Sequence, residues 1–214
     1  PGIGWSTSYS PFIQNNLNIK FVDVNKMSFN IDTDLIEKNI NHKTKGILAI
    51  NILGNPCEYE KILKISKKYK LILVEDNCES LGAIYNKKKC GSFGLWSSLS
   101  SYYSHHISTI EGGFFLTDNK KLFSIAKSIR SHGWIRGQED NKIFKVKRFS
   151  NEKKKFLFYY PGYNLRSTEL NAAIGIEQFK KLNIFVKKRR KNYKELKKIV
   201  SKYNKITIQK ECKF

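Results

Sequence analysis

Residues 46–76, GILAINILGNPCEYEKILKISKKYKLILVED, decide the fold. The apolar run that opens the stretch carries no polar alternation, as a strand buried on both faces requires, and the Gly54-Asn55-Pro56 turn ends it. Residues 57–69 place Tyr59, Ile62, Leu63 and Ile65 at helical spacing with lysines on the opposite face. LILVED then returns to a buried strand, with Glu75 and Asp76 at its carboxyl end. Strand, helix and strand joined by short links indicate parallel α/β architecture. Ligands sit at the carboxyl ends of such strands, so the Glu75-Asp76 end is where a site is expected.

Working outward, residues 11–17 predict a short helix and IKFVDV, residues 19–24, another buried strand. Residues 30–42 predict a helix with Asp32 as its N-cap. Downstream, GAIYNKKKCGSFG (82–94) is a loop or hairpin. GGFFLTD (112–118) is a strand ending in Asp118, read as the N-cap of a helix that runs to about residue 131, where SHGWIRG breaks it. Residues 138–155 are charged and low in pattern, an exposed excursion. From Ser167 a long amphipathic helix begins with a capping-box-like Ser167-to-Leu170 turn and carries a small-residue AAIG patch. The chain opens without Met on a segment that reads as a domain interior and closes on the strand-like ITIQKECKF, so truncation at both ends is expected.

The 214 residues, 40% of them hydrophobic, are enough for a core, and no apolar run reaches the roughly 18 residues of a membrane span. A cytoplasmic protein is expected. The net charge of +22 raises nucleic acid as a partner. However, the cations are mostly lysines spread along the chain among many Asn and Ile, as an AT-rich coding sequence produces, and Arg is scarce. Neither nucleic acid nor membrane is therefore an expected partner. Cys57, Cys78, Cys90 and Cys212 form no CxxC pair, which argues against a disulfide framework or a zinc site.

The stretch 91–113, GSFGLWSSLSSYYSHHISTIEGG, mixes hydroxyls, adjacent histidines and a Glu-Gly-Gly turn, a composition suited to a ligand. Taken singly its residues stay ambiguous. Asp76 can cap a turn or pair with a protonated ring nitrogen, and Glu79 can be a solvated carboxylate or lie near that ring. Ser98, Ser100 and Ser101 can bind phosphate or merely face water. Of His105 and His106 only one is expected to point into a given pocket, where an imidazole could carry protons near neutral pH.

Together the blocks are more specific. EDNCESLGA, GSFG, SSYYSHHISTIEGG, LTDN, IRSHGW and GYNLRSTELNAAIGIEQFKKL, in that order, resemble the DegT family of pyridoxal-phosphate-dependent sugar-nucleotide aminotransferases and dehydratases. The resemblance implies an α/β fold, the large domain of the aspartate-aminotransferase (fold type I) architecture. Residues 1–166 would belong to the cofactor-binding domain, 167–203 to a helix leading away, and 204–214 to the start of a small domain. It also implies roles: Asp76 on the pyridine nitrogen, Ser100 on the cofactor phosphate, and Glu79 near the ring. Trp5 would pack on the ring, and Asn164 would reach the phosphate from a neighbouring subunit of a homodimer.

The departure is His105, which stands where the aminotransferases carry the lysine that forms a Schiff base with the cofactor. No lysine lies between Ser92 and Asn119 to replace it. A histidine in this frame is similar to the 3-dehydratases of nucleotide-linked 4-keto-6-deoxyhexoses. These use pyridoxamine phosphate without a covalent link, take their amino group from an amino acid such as glutamate, and employ the histidine as base. Related dehydratases add an iron-sulfur cluster on four cysteines. Cys78 matches the first, but residues 130–140 contain none, so no cluster and no metal is expected. A sugar aminotransferase that has lost its lysine and a basic binding module on the same fold are the competing readings.

Overall fold

The computed structural model describes residues 1–136, 138, 143, 144, 146 and 149–212. Its centre is a four-stranded sheet built from β1 (Gly46–Ile50), β2 (Ile72–Asp76), β5 (Trp96–Ser100) and β6 (Gly113–Leu116), adjacent in that order. The first three are parallel, and β6 runs antiparallel to β5. A small hairpin of β3 (Ile84–Tyr85) and β4 (Lys88–Lys89) interrupts the β2-to-β5 crossover. Because β1, β2 and β5 point the same way, Ile50, Asp76 and Ser100 all lie at one end of the sheet.

The main core fills the space between β1, β2 and the helices that cross them. Ile47, Ala49 and Leu73 meet Tyr59, Ile62 and Ile65 of α3 (Tyr59–Tyr69) and Ile36 of α2 (Thr33–Ile36). Tyr59 also stacks on Phe93, with ring centroids 4.1 Å apart. Leu63 was expected inward and is 39% exposed, because it lies roughly 100° round the helix from Ile62, the centre of the Tyr59-Ile62-Ile65 stripe. Lys70 ends α3 in the left-handed conformation, φ 54°, and its N–H returns to Ser66 and Lys67.

Other expectations are corrected. IKFVDV is not a strand: Val24 makes one antiparallel bridge to Ile31, and among the described strands none runs beside it to accept a ladder. The first helix, α1, spans Ser6–Gln14, starting ahead of the predicted segment. Asp32 is the N-cap of α2, accepting from the Asp34 N–H, but after Ile36 the helix tightens to a short 3-10 turn and ends at Asn39. Helix α4 (Lys120–Ile129) is capped by Asn119, which accepts from the Leu122 N–H, and not by Asp118. Within 138–155 the described residues include a short helix, α5 (Asn151–Lys154). They also include Phe144 and Val146, buried with Ile135 in a second small core, so these two positions are not exposed. The expected single long helix is two, α6 (Glu169–Lys180) and α7 (Leu182–Val200), separated at Lys181. The capping box is one residue later than predicted, formed by Thr168 and Asn171, because Thr168 holds the extended backbone that an N-cap needs. Among the described residues no helix is long and apolar enough to cross a membrane.

Candidate active site

The two carboxylates at the end of β2 point in opposite directions, as successive strand residues must. Glu75 turns inward and is 0% exposed. Its Oε1 accepts from the backbone N–H groups of Phe93 and Gly94, both at 2.6 Å, and its Oε2 from that of Gly91 at 2.7 Å. It is a clamp that fixes the loop entering β5. Asp76 faces the sheet's end. Its Oδ2 accepts from the Ser8 hydroxyl at 2.6 Å, and its Oδ1 from the Cys78 N–H at 3.0 Å and more weakly from the Ser98 hydroxyl at 3.4 Å. Burial and the neighbouring Asp76 charge push the Cys78 thiol up to about 12.

Ser98 pairs with Asp76 in the β2–β5 register, and Ser100, two residues on, shares its face. The Ser100 hydroxyl accepts from the Tyr102 N–H. Residues 101–112 then form a closed loop between β5 and β6. Its base is fastened by Ser101 and Thr109, whose hydroxyls lie 2.6 Å apart while the Thr109 N–H donates to the Ser101 carbonyl. A Cβ on Gly112 would sit 2.5 Å from the Thr109 hydroxyl, so the Glu-Gly-Gly turn does involve the close approach that glycine permits. Asn171 of α6 also donates to the Thr109 carbonyl at 2.6 Å.

His105 occupies the tip of this loop, its N–H bonded to the Tyr102 carbonyl. His105 and His106 both line a cavity of about 590 Å³ together with Glu79, Arg189 and Arg190. The structure separates the two histidines. Burial, then the Arg189 charge, then His105 lower His106 to about 4, so it is neutral at pH 7 and a weak base, and its buried Nδ1 has no hydrogen-bond partner. Glu79 reaches the cavity rim, where it accepts from the Leu53 N–H at 2.7 Å, steadying a residue with φ 53°.

Asp76, Ser98 and Ser100 thus gather at one end of the sheet, and His105 and Glu79 share a cavity. Trp5, the N-cap of α1, is 75% exposed and lies one turn before Ser8, whose N–H donates to its carbonyl. Asn164 is not joined to this group within the chain. It is exposed, and its backbone bridges Ser131. Sequence reading missed Ser8, whose bond to Asp76 spans 68 positions, and the arginines of α7, since neither carries a local signature. Among the described residues no group of His, Cys, Asp and Glu could hold a metal ion.

The model of the DegT/DnrJ/EryC1/StrS aminotransferase family matches residues 1–213. The chain is 46% identical over 212 residues to a GDP-4-keto-6-deoxy-D-mannose 3-dehydratase of Yersinia pseudotuberculosis, covering 99% of this chain and 54% of that protein. It is 35% identical over 205 residues to a dTDP-4-dehydro-2,6-dideoxy-D-glucose 3-dehydratase of Saccharopolyspora spinosa, covering 91% of this chain and 46% of that one. A crystal structure of a GDP-4-keto-6-deoxymannose-3-dehydratase with a trapped PLP-glutamate geminal diamine superposes with a TM-score of 0.93 at 42% identity, over 99% of this chain and 55% of that one. The chain spans about half the length of the curated relatives it matches.

Proposed function

We propose, from the premise that this chain belongs to the DegT/DnrJ/EryC1/StrS aminotransferase family, that it carries the base and cofactor pocket of a 3-dehydratase acting on a nucleotide-linked 4-keto-6-deoxyhexose. The observation that carries this reading is His105. An imidazole stands at the tip of the β5–β6 loop, at the sheet end that bears Asp76, and no lysine lies between Ser92 and Asn119 to attach a cofactor covalently.

The Asp76 surroundings fit pyridoxal or pyridoxamine phosphate. A carboxylate offers about four lone-pair sites. Asp76 uses three, all on neutral donors (Ser8, the Cys78 N–H and Ser98), and no cation among the described residues forms an ion pair with it. One site and the full charge remain for a protonated ring nitrogen. Bound there, the cofactor supplies an amine able to condense with a sugar ketone and an electron-withdrawing ring. The chain's own residues do the rest. Asp76 would hold the protonated ring nitrogen, Ser100 would offer a hydroxyl to the phosphate, and Trp5 would pack on the ring. His105 would serve as the base that takes up a proton in the cofactor-assisted step and would return it to the hydroxyl departing from carbon 3 of the sugar. Glu79, on the cavity wall, would lie near the ring. His106, held neutral, does not compete for the proton.

Glutamate is the proposed amino donor, in keeping with the adduct trapped in the related dehydratase. A homodimer, in which Asn164 serves the partner's site, is the proposed assembly, and its exposure leaves it available for that role. Transamination is disfavoured, because imidazole cannot replace a lysine amine in that chemistry.

The test supplies pyridoxamine phosphate and GDP-4-keto-6-deoxymannose to the protein that carries this chain. A 3-deoxy product is expected, with His105→Asn lowering turnover by about 10²–10⁴-fold. In His105→Lys, borohydride should fix pyridoxal phosphate to position 105, as read by peptide mass. Absence of that attachment places residue 105 away from the cofactor and ends the assignment.

A further inference from the structure

His106 takes no part in the proton transfer assigned to His105, yet its side chain is built into the same wall. It lines the cavity of about 590 Å³ with His105 and Glu79, and Arg189 of α7 lies close enough for its charge to act on the ring. The Nδ1 atom is buried and has no hydrogen-bond partner. Among the described residues none bonds to Nε2 either. With Nδ1 closed off, Nε2 is the one polar atom that the ring can present to the cavity.

The orphaned nitrogen fixes the tautomer. A neutral imidazole carries one proton, on Nδ1 or on Nε2. On Nδ1 it would be a buried N–H without an acceptor, the rarest kind of orphan in folded proteins, whereas an unfilled lone pair there costs less. The proton therefore belongs on Nε2. Burial, then the Arg189 charge, oppose a second proton, so the ring stays neutral at pH 7. The loop gives the ring little freedom to turn Nδ1 elsewhere: Ile107 beside it is buried, and the Ser101 and Thr109 hydroxyls close the base. An uncharged N–H facing the cavity wants an acceptor that the chain does not supply. It suits a neutral oxygen, because an anionic one is better served by the Arg189 guanidinium in the same wall.

We infer that His106 is a specificity-determining residue of this site, its Nε2–H donating to a neutral oxygen, hydroxyl or ketone, of the sugar held beside His105. The sugar rests on the dehydratase reading, and the tautomer does not. Such a donor selects for an oxygen at its own position, since a sugar lacking that oxygen leaves the N–H unpaired.

Nitrogen-15 correlation spectra of the protein that carries this chain, with labelled histidine and no ligand, read the tautomer. A neutral His106 ring with its proton on Nε2 is expected at pH 7, its signals assigned by their loss in His106→Gln. A proton on Nδ1, or a charged ring, refutes the proposal whatever the enzyme does. Isothermal titration with GDP-4-keto-6-deoxymannose reads the contact, with pyridoxamine phosphate present and in a His105→Asn background so that the sugar is not consumed. His106→Gln, whose amide nitrogen lies near the place of Nε2, should hold the affinity within about threefold. His106→Asn, whose amide nitrogen lies near the place of Nδ1, should lose about tenfold or more. Equal affinities in the two variants, whether both fall or neither does, refute the donor. Turnover is read separately with His105 intact. Binding without a 3-deoxy product ends the dehydratase reading alone, a 3-deoxy product with equal affinities in the two variants ends this proposal alone, and no binding ends both.

Discussion

Replacing Glu75 by Gln changes one atom and should destabilise the fold more than any comparable change at Asp76. Three backbone N–H groups converge on the Glu75 carboxylate, two on one oxygen and one on the other. A Gln amide can keep its oxygen toward Phe93 and Gly94, but those two bonds fall from charge-assisted to neutral, about 1 kcal/mol each. Its NH₂ then faces the Gly91 N–H, which loses its acceptor at a cost of about 1–3 kcal/mol. Relief of the desolvated charge offsets part of this, leaving roughly 3 kcal/mol. For a chain of this size that is about 6–12 °C in Tm. Urea unfolding followed by tryptophan fluorescence, with the slope unchanged, reads the same quantity. Asp76→Asn, on the half-buried neighbour whose two oxygens each meet a serine hydroxyl able to turn and accept from an amide NH₂, should cost only about 1 kcal/mol. If Glu75→Gln lies within 0.5 kcal/mol of the parent, the carboxylate does not hold the loop, and the division of labour between the two acids is wrong.

Two further outcomes follow from the same geometry. Cys78, Cys90 and Cys212 are raised to about 12, 12 and 11, burial being the largest cause in each, and burial also raises Cys57 well above its ordinary value. A raised thiol pKa keeps the neutral form, so iodoacetamide should label all four slowly at pH 7.5 and faster only toward pH 11, as mass spectrometry would read. Asp76→Asn removes a charge that raises Cys78 and should accelerate labelling there and not at Cys212; equal acceleration at both would mean general loosening instead. Gly133→Ala sets a methyl against the Tyr160 carbonyl and strains a left-handed residue, so a loss above about 3 kcal/mol is expected in thermal unfolding. A parent-like Tm would show that the loop can yield.

What the sequence disclosed and what it hid divide along physical lines. β1, α3 and β2 were legible because burial on two faces or one writes a period into the residues, and the place of Asp76 at the end of β2 follows from that pattern. IKFVDV has the composition of a strand, yet a strand exists only beside a partner, and composition does not report partners. The N-cap moved from Asp118 to Asn119 and the capping box from Ser167 to Thr168 because neighbouring polar residues compete, and backbone angles choose between them. Glu75 and Asp76 look equivalent in sequence, and only alternation along β2 assigns one to the loop and the other to the site. Ser8 and Arg189 act through tertiary contacts of long sequence separation, which no local pattern encodes.

The loop that presents His105 is held by the Ser101 and Thr109 hydroxyls, by the Gly112 carbonyl, and by Asn171 reaching in from α6. None of these fasteners uses the side chain at position 105. Framework and reagent are therefore separable, and the group at the tip can be exchanged without rebuilding the scaffold beneath it. Under the proposed function, a change of the group at position 105 would alter the chemistry while leaving the loop and its fasteners as they are.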